Sequence, residues 1–145
     1  MMADSNSNFA NTLVEQNGEF LYTKRQSDSC CPSYPNQLWS TSQTAGDNGT
    51  MSDTLLATIG SGNNWGYEPQ FVAQLPSGKW FFTANDGTTG RELWITDGTP
   101  VRTMLLKDIY PGKTSSLNNF QSRLVGNLLY FVADDGLSGA ELWVS

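Results

Sequence analysis

The chain contains no histidine among its 145 residues. Histidine is the commonest general base, and it activates the nucleophile in Ser-His and Cys-His pairs. Its absence also excludes zinc sites built on imidazole. The sequence contains no nucleophile motif and no phosphate-binding loop either. We therefore expect a protein that is not an enzyme, with no catalytic residues and no cofactor.

Basic residues are scarce, with 8 Lys and Arg against 14 Asp and Glu, and the net charge is −6. Binding to nucleic acid needs clustered Lys and Arg that release counterions from the phosphates, and an anionic membrane surface attracts the same residues. No apolar run approaches the roughly 20 residues that cross a bilayer as a helix. We expect neither a nucleic-acid partner nor membrane insertion.

The chain has only two cysteines, Cys30 and Cys31. Adjacent Cα atoms lie about 3.8 Å apart, which is shorter than the usual disulfide span, so a bridge between these two would be strained. The pair is also too close for a standard zinc motif. Two free thiols, a vicinal bridge and bridges to a neighbouring chain all remain open. Residues 1–13 lack the basic and apolar regions of a signal peptide, which leaves the compartment open.

An internal repeat dominates the sequence. Residues 77–96 align with residues 126–145 without a gap, and both stretches contain Asp-Gly, a second Gly and Glu-Leu-Trp at matching positions. A more divergent copy contains residues 17–23 and Gln37-Leu38-Trp39, with an insertion within residues 24–35. Four short antiparallel strands that recur about every 50 residues are typical of a β-propeller blade.

The predicted fold is all-β and propeller-like, with three four-stranded antiparallel blades, of which the last is incomplete. In the third copy we expect strands near Leu124-Val125, at 128–133 and at 141–144, and in the second copy we expect a fourth strand at 103–109. The residues form one repeat domain, 1–145, with blade 1 at about 8–59, blade 2 at about 70–109 and blade 3 at about 119–145.

Two predicted strands, Trp80 to Phe82 and Leu128 to Val132, are continuously apolar instead of alternating. A strand of this kind is buried on both faces. In a propeller each blade lies between two others, so the pattern agrees with stacked blades.

Glu92 to Thr99 reads ELWITDGT, and Lys107-Asp108-Ile109 is followed by Pro111-Gly112 and Ser115-Ser116. These motifs resemble the repeats of the bacterial ELWxxDGT family. The resemblance implies a propeller-like fold and an extracellular or cell-surface location, and it carries over no catalytic residue. The first copy departs from the pattern, because Gln37 replaces the glutamate.

Propellers typically have four to eight blades, so three copies leave two blade faces exposed, which we expect to be covered in aromatic side chains. Exposed apolar faces drive association. The last copy also lacks its fourth strand, which predicts an open assembly edge at Glu141, Leu142, Trp143 and Val144. The chain is then either part of a longer propeller or a structural module that assembles with itself or with a larger extracellular complex. Two chains would give six blades.

The alternative function is a lectin-like, carbohydrate-binding module with glycans as partners. The segment with Asn64, Trp65, Tyr67 and Glu68 breaks the repeat pattern. Aromatic rings beside a few polar groups are typical of small-ligand sites. The recurring Trp39, Trp94 and Trp143 allow a sugar-stacking role as well, although packing between blades is the simpler interpretation.

The repeated acidic residues have two interpretations each. Asp86, Asp134 and Asp135 lie in Asp-Gly turns and could bind calcium, although Ca²⁺ takes six to eight oxygen ligands. The simpler interpretation is that they form the turns. Glu92 and Glu141 recur at the start of the third strand, and we expect each to anchor its own blade's turn through backbone N–H groups.

Overall fold

The computed structural model describes residues 9–16, 18–25, 36–43, 51–59, 69–118 and 120–145. Within these residues the chain forms eleven strands and one 3-10 turn, and the strands make three antiparallel sheets. Sheet 1 contains β1 (Phe9–Gln16), β2 (Glu19–Arg25), β3 (Asn36–Gln43) and β4 (Met51–Ile59). Sheet 2 contains β5 (Gln70–Gln74), β6 (Trp80–Asn85), β7 (Arg91–Thr96) and β8 (Met104–Leu105), with the 3-10 turn at Pro100–Arg102. Sheet 3 contains β9 (Ser122–Val125), β10 (Leu128–Asp134) and β11 (Ala140–Val144).

In each sheet, consecutive strands lie side by side, so every sheet is an open meander. The Asp-Gly turns make this possible, because Gly87 (φ 84°) and Gly136 (φ 81°) adopt left-handed conformations that other residues rarely tolerate. The prediction of an all-β chain with sheets of four, four and three strands is confirmed. No described sheet closes on itself. None of the described helical turns has the length and apolar character that crossing a bilayer would require.

Sheet 2 lies between the other two sheets and contributes to two separate apolar clusters. On one side Phe82 and Ala84 pack with buried residues of sheet 1. On the other side Phe81 and Leu93 pack with buried residues of sheet 3. Five consecutive residues of β6 are buried, so the continuous apolar run correctly predicted a strand that is covered on both faces. The indole Nε1 of Trp80, 3.4 Å from the carbonyl oxygen of Glu15, further joins sheets 1 and 2.

Strand β10 is not covered on both faces, contrary to the prediction from its apolar sequence. Its burial alternates, with Leu129, Phe131 and Ala133 buried and Leu128 exposed. The inner residues pack against sheet 2, whereas no described sheet packs against the outer side. The expectation of two covered faces was therefore wrong for this strand, since an apolar sequence permits burial but does not supply the covering sheet.

The fourth strand of the second copy is much shorter than predicted. β8 contains only Met104 and Leu105, and one further backbone bond joins Leu106 N to the carbonyl of Leu93 at 3.0 Å. The N–H of Ile109 instead donates to Glu92 Oε2 at 3.3 Å. Strand pairing with β7 therefore stops before Ile109, because the side chain of Glu92, and not a neighbouring strand, accepts this hydrogen bond.

Candidate functional site

The outer side of sheet 3 is an exposed apolar surface. Cross-strand partners share one side of an antiparallel sheet, and here Tyr130 pairs with Val144, Val132 with Leu142 and Leu128 with Val125. Leu142 is 73% exposed, Val125 57% and Val144 55%. We name this surface the aliphatic end face. It consists of Val125, Leu128, Tyr130, Val132, Leu142 and Val144.

The outer side of sheet 1 is a second apolar surface, and it is richer in aromatic rings. Tyr22 pairs with Trp39 across β2 and β3, and Trp39 pairs with Leu55 across β3 and β4. Phe20, Met51 and Leu55 are exposed. We name this surface the aromatic end face. It consists of Phe20, Tyr22, Trp39, Met51 and Leu55.

Polar groups hold the rings of the aromatic end face in place. The Tyr22 hydroxyl donates to Asp53 Oδ2 at 2.8 Å, and burial together with this carboxylate raises the pKa of Tyr22 well above its usual value. Trp39 Nε1 donates to Gln37 Oε1 at 3.1 Å. The Lys24 ammonium lies 5.4 Å from the centre of the Trp39 ring, a cation–π distance. The rings are therefore presented in defined positions.

The two end faces correspond to the two sides of a sheet-to-sheet contact that already exists inside the chain. By the repeat alignment, Phe20, Tyr22 and Trp39 of the aromatic end face are equivalent to Trp80, Phe82 and Trp94. Those three residues of sheet 2 pack toward sheet 1.

Residues of the aliphatic end face are equivalent to residues on the other side of sheet 2. Tyr130, Leu142 and Val144 align with Phe81, Leu93 and Ile95, which pack toward sheet 3. By the repeat alignment, each end face thus corresponds to one side of a sheet-to-sheet contact. The face that corresponds to the other side of that contact lies at the opposite end of the chain.

The expectation of two aromatic faces was correct for sheet 1 and wrong for sheet 3. Phe131 and Trp143 belong to the inner side of sheet 3 and pack with the cluster between sheets 2 and 3. Trp94 likewise packs between sheets 1 and 2. Among the described residues, no hydrogen-bond acceptor meets the buried indole nitrogens of Trp94 and Trp143. Packing between sheets therefore accounts for these two tryptophans, while Trp39 lies on the side of sheet 1 that no described sheet covers.

The predicted assembly edge lies where a sheet ends. Sheet 3 has the order β11-β10-β9, so β11 is an edge strand, and it contains Glu141, Leu142, Trp143 and Val144. In sheet 2 the equivalent strand β7 is central and pairs with β8. The described part of sheet 3 has no strand in the corresponding position.

The two recurring glutamates lie in different environments. Glu92 has no exposed surface, and it accepts hydrogen bonds from Ile109 N at 3.3 Å, Ser116 N at 3.2 Å and Ser116 Oγ at 2.6 Å. Desolvation raises the pKa of Glu92 even though these bonds lower it. Glu141 is exposed. Glu92 therefore accepts from backbone N–H groups, as expected, but these groups belong to the connection from sheet 2 to sheet 3 and not to a turn between strands of sheet 2.

The turn carboxylates accept hydrogen bonds from their own turns. Asp86 Oδ1 accepts from the N–H groups of Thr88 and Thr89, each at 2.8 Å. Asp135 Oδ1 accepts from Leu137 N and Ser138 N, also at 2.8 Å. This is the arrangement that the turn-forming interpretation predicts. Among the described residues, no group of three or more acidic or cysteine side chains forms a metal site.

The turn at Asp86 is expected to lose stability in acid. Partial desolvation raises the pKa of Asp86, but hydrogen bonds from Thr89 and Thr88 outweigh it and place the folded pKa below the ordinary value of 3.8. A carboxylate whose pKa is lower in the folded than in the unfolded state stabilises the fold at pH values above the unfolded pKa. This stabilisation disappears as the pH falls through the folded pKa. Urea unfolding of the wild type and Asp86→Asn should therefore differ at pH 7, and the difference should shrink as the pH falls through the folded pKa. A difference that persists in acid would contradict the charge-dependent turn.

A polar cleft between sheet 1 and the second Asp-Gly turn of sheet 2 was not predicted. Its volume is about 350 Å³. Its lining residues are far apart in the sequence and carry hydroxyl, carboxylate or backbone groups: Glu19, Ser40, Ser42, Thr54, Asp97, Gly98, Thr99 and Pro100. No local motif could have indicated it, because only the packing of two sheets brings these residues together. The lining contains no aromatic ring, so the cleft offers no platform for sugar stacking.

Several predicted site residues lie outside the described residues. These are the proposed sugar-binding residues Asn64, Trp65, Tyr67 and Glu68, and the pair Cys30 and Cys31. The carbohydrate-binding function and the state of the two thiols stay predictions.

Comparisons of the chain with models of known protein families, with curated proteins and with solved structures found no match. The resemblance to ELWxxDGT repeats therefore stays a prediction from the sequence motifs.

Proposed function

We propose that the chain is a non-enzymatic assembly module with propeller-like blades whose copies stack head to tail. The aromatic end face of one copy packs on the aliphatic end face of the next. One observation carries this proposal: residues of both end faces, among them Phe20, Leu142 and Val144, align with residues that pack between sheets inside the same chain.

The physical driving force is the burial of apolar surface. Burying such surface contributes about 25 cal/mol per Å², and an exposed apolar patch of this kind on a soluble protein marks an interaction surface. The aliphatic end face combines Leu142 and Val144 on β11 with Val125 and Leu128 on the neighbouring strands. The internal contacts show what covers such a face, namely large rings such as Phe82 and Trp94.

One pair of charges near the two faces is complementary. Arg123 pairs with Tyr130 and so lies on the aliphatic side of sheet 3. Asp53 lies on the aromatic side of sheet 1, where it accepts from Tyr22. Opposite charges on facing surfaces favour the correct register and accelerate encounter.

The symmetry of this contact determines the form of the assembly. Because each copy contributes two different faces, the interface is heterologous, and it closes into a ring or continues as a filament. Two copies would bring together six blade units, within the four to eight that closed propellers contain.

Size-exclusion chromatography with light scattering tests the stacking. The wild type at micromolar concentration should elute at a multiple of 15.9 kDa, whereas Phe20→Glu and Leu142→Glu should each be monomeric, because a buried unpaired charge is costly. A mixture of the two variants should form a one-to-one dimer, since each retains the face that the other lacks. Val101→Glu is the control, because Val101 is 86% exposed and lies off both faces.

Two results would overturn the proposal. The first is a wild type that stays monomeric at these concentrations. The second is a pair of variants that remain monomeric when mixed while the wild type associates, which would indicate a symmetric interface instead of a head-to-tail one.

A further inference from the structure

The polar cleft between sheets 1 and 2 contains a buried hydroxyl that no other described residue engages. Ser40 lines the cleft and is only 4% exposed. It pairs with Leu21, which belongs to the cluster between sheets 1 and 2, so Ser40 lies on the side of sheet 1 that faces sheet 2. Within the residues that the structure describes, its hydroxyl has no hydrogen-bond partner. Because a buried hydroxyl without a partner is costly, this group is suited to bind a molecule in the cleft.

Ser40 also departs from the repeat at this position. By the repeat alignment, Ser40 falls on Ile95 in the second copy and on Val144 in the third. Ile95 packs against the apolar cluster between sheets 2 and 3. An apolar side chain thus contributes to the contact between sheets at the equivalent place, whereas serine leaves a polar lining. Local departures of this kind, which weaken packing without an evident structural gain, are typical of functional sites.

The charged groups of the described lining are both carboxylates, and no Lys or Arg belongs to it. Asp97 is already engaged, because its Oδ1 accepts from Thr99 N at 3.0 Å and its Oδ2 lies 3.6 Å from Arg102 Nε. Glu19 is half-buried, and in the described parts of the chain its carboxylate forms neither a hydrogen bond nor an ion pair. The uncompensated charge of the cleft is therefore that of Glu19.

The chemistry of the lining selects a cation over an anion or a bare metal ion. An ammonium group has three donors and no acceptor, which matches carboxylate and hydroxyl oxygens. The volume of about 350 Å³ lies within the range of about 300–1,000 Å³ that is usual for small-molecule pockets. Ca²⁺ takes about six to eight oxygen ligands, whereas no group of three or more acidic side chains forms among the described residues.

We propose that this cleft binds a small organic cation of the size of a diaminoalkane, whose ammonium group pairs with the Glu19 carboxylate and donates to the Ser40 hydroxyl. The hydroxyls of Ser42, Thr54 and Thr99, which also line the cleft, offer acceptors to the rest of the ligand. The site is formed within one chain, so it is independent of the stacking of copies.

Equilibrium dialysis of the full chain against radiolabelled putrescine tests the site. The wild type should bind it saturably, and the uncharged diol analogue should not compete. Glu19→Gln should weaken binding about tenfold, since a charge-assisted hydrogen bond is lost. Glu15→Gln is the matched control for the loss of one charge. Glu15 is exposed and pairs with Phe20 of the aromatic end face, and glutamine can still accept from Gly18 N.

Ser40→Ala separates ligand binding from a structural function of the hydroxyl. The substitution should weaken putrescine binding about fivefold. The urea midpoint should stay unchanged or rise, because the variant no longer buries a hydroxyl without a partner. A hydroxyl that only supports the fold would give the reverse result, with lower stability and unchanged affinity.

Four outcomes would overturn the inference. The first three are no saturable binding at millimolar putrescine, equal affinities of the wild type and Glu19→Gln, and a Ser40→Ala variant that loses stability at unchanged affinity. The fourth is complete displacement of putrescine by an equal concentration of Ca²⁺, which would identify the cleft as a metal site.

Discussion

Replacing Glu92 with alanine is expected to lower the free energy of unfolding by about 3 to 5 kcal/mol. The change leaves the N–H groups of Ile109 and Ser116 buried without their acceptor, and each unsatisfied buried group costs about 1–3 kcal/mol. It also removes the partner of the Ser116 hydroxyl. Because a whole domain has only about 5–15 kcal/mol of stability, this loss would bring the protein close to unfolding.

The repeat provides a matched control for Glu92. Glu141 occupies the equivalent position but is exposed, so Glu141→Ala should change stability by no more than about 0.5 kcal/mol. Urea unfolding followed by tryptophan fluorescence measures both variants. Hydrogen exchange at Ile109 and Ser116 should accelerate in Glu92→Ala only, because local opening is read residue by residue. Equal losses in the two variants would contradict the anchoring function of Glu92.

Replacing Gly90 with alanine is expected to be the second strongly destabilising change. Two penalties act together: the positive φ of 73° strains any residue with a Cβ, and this Cβ would lie 2.5 Å from backbone atoms of Thr114. Left-handed strain costs about 1–2 kcal/mol, and displacing packed neighbours adds about 1–3 kcal/mol. The total expected loss is about 3 kcal/mol or more.

Gly139→Ala separates these penalties. Gly139 has nearly the same φ, 80°, but open space around its Cβ position, so only the conformational strain of about 1–2 kcal/mol applies. Thermal and urea unfolding of both variants therefore measures the close contact at Gly90 as the difference between them. If the two substitutions were equally destabilising, the segment that contains Thr114 would not lie against Gly90.

The local features of this fold were predictable. Asp-Gly turns and short apolar stretches indicated β10 and β11 to within one residue, and the beginning of β6, because hairpin turns and strand propensity depend on neighbouring residues. The continuous apolar run at Trp80 to Phe82 indicated a sheet covered on both faces. The same reasoning failed for Leu128 to Val132, since the covering of a face depends on a distant part of the chain.

The candidate site was predictable only in part. The pairing of Glu141 to Val144 with the preceding strand followed from the repeat, because the equivalent strand β7 pairs with β6 in the same register. The different environments of Glu92 and Glu141 did not follow from the sequence, because both residues stand in the same Glu-Leu-Trp motif. The partners of Glu92 lie 17 and 24 residues away, in a segment that no periodic pattern places against it.

The sequence by itself determined that this protein consists of repeated small antiparallel sheets, because turn chemistry and apolar patterning act over a few residues. Only the tertiary structure decided which copies of a repeated residue are buried. Phe82 and Phe131 lie between sheets, whereas the equivalent Tyr22 lies on the side of sheet 1 that no described sheet covers. The physical reason is that burial depends on which sheet stacks against which, and identical motifs meet different neighbours at the middle and at the ends of a stack.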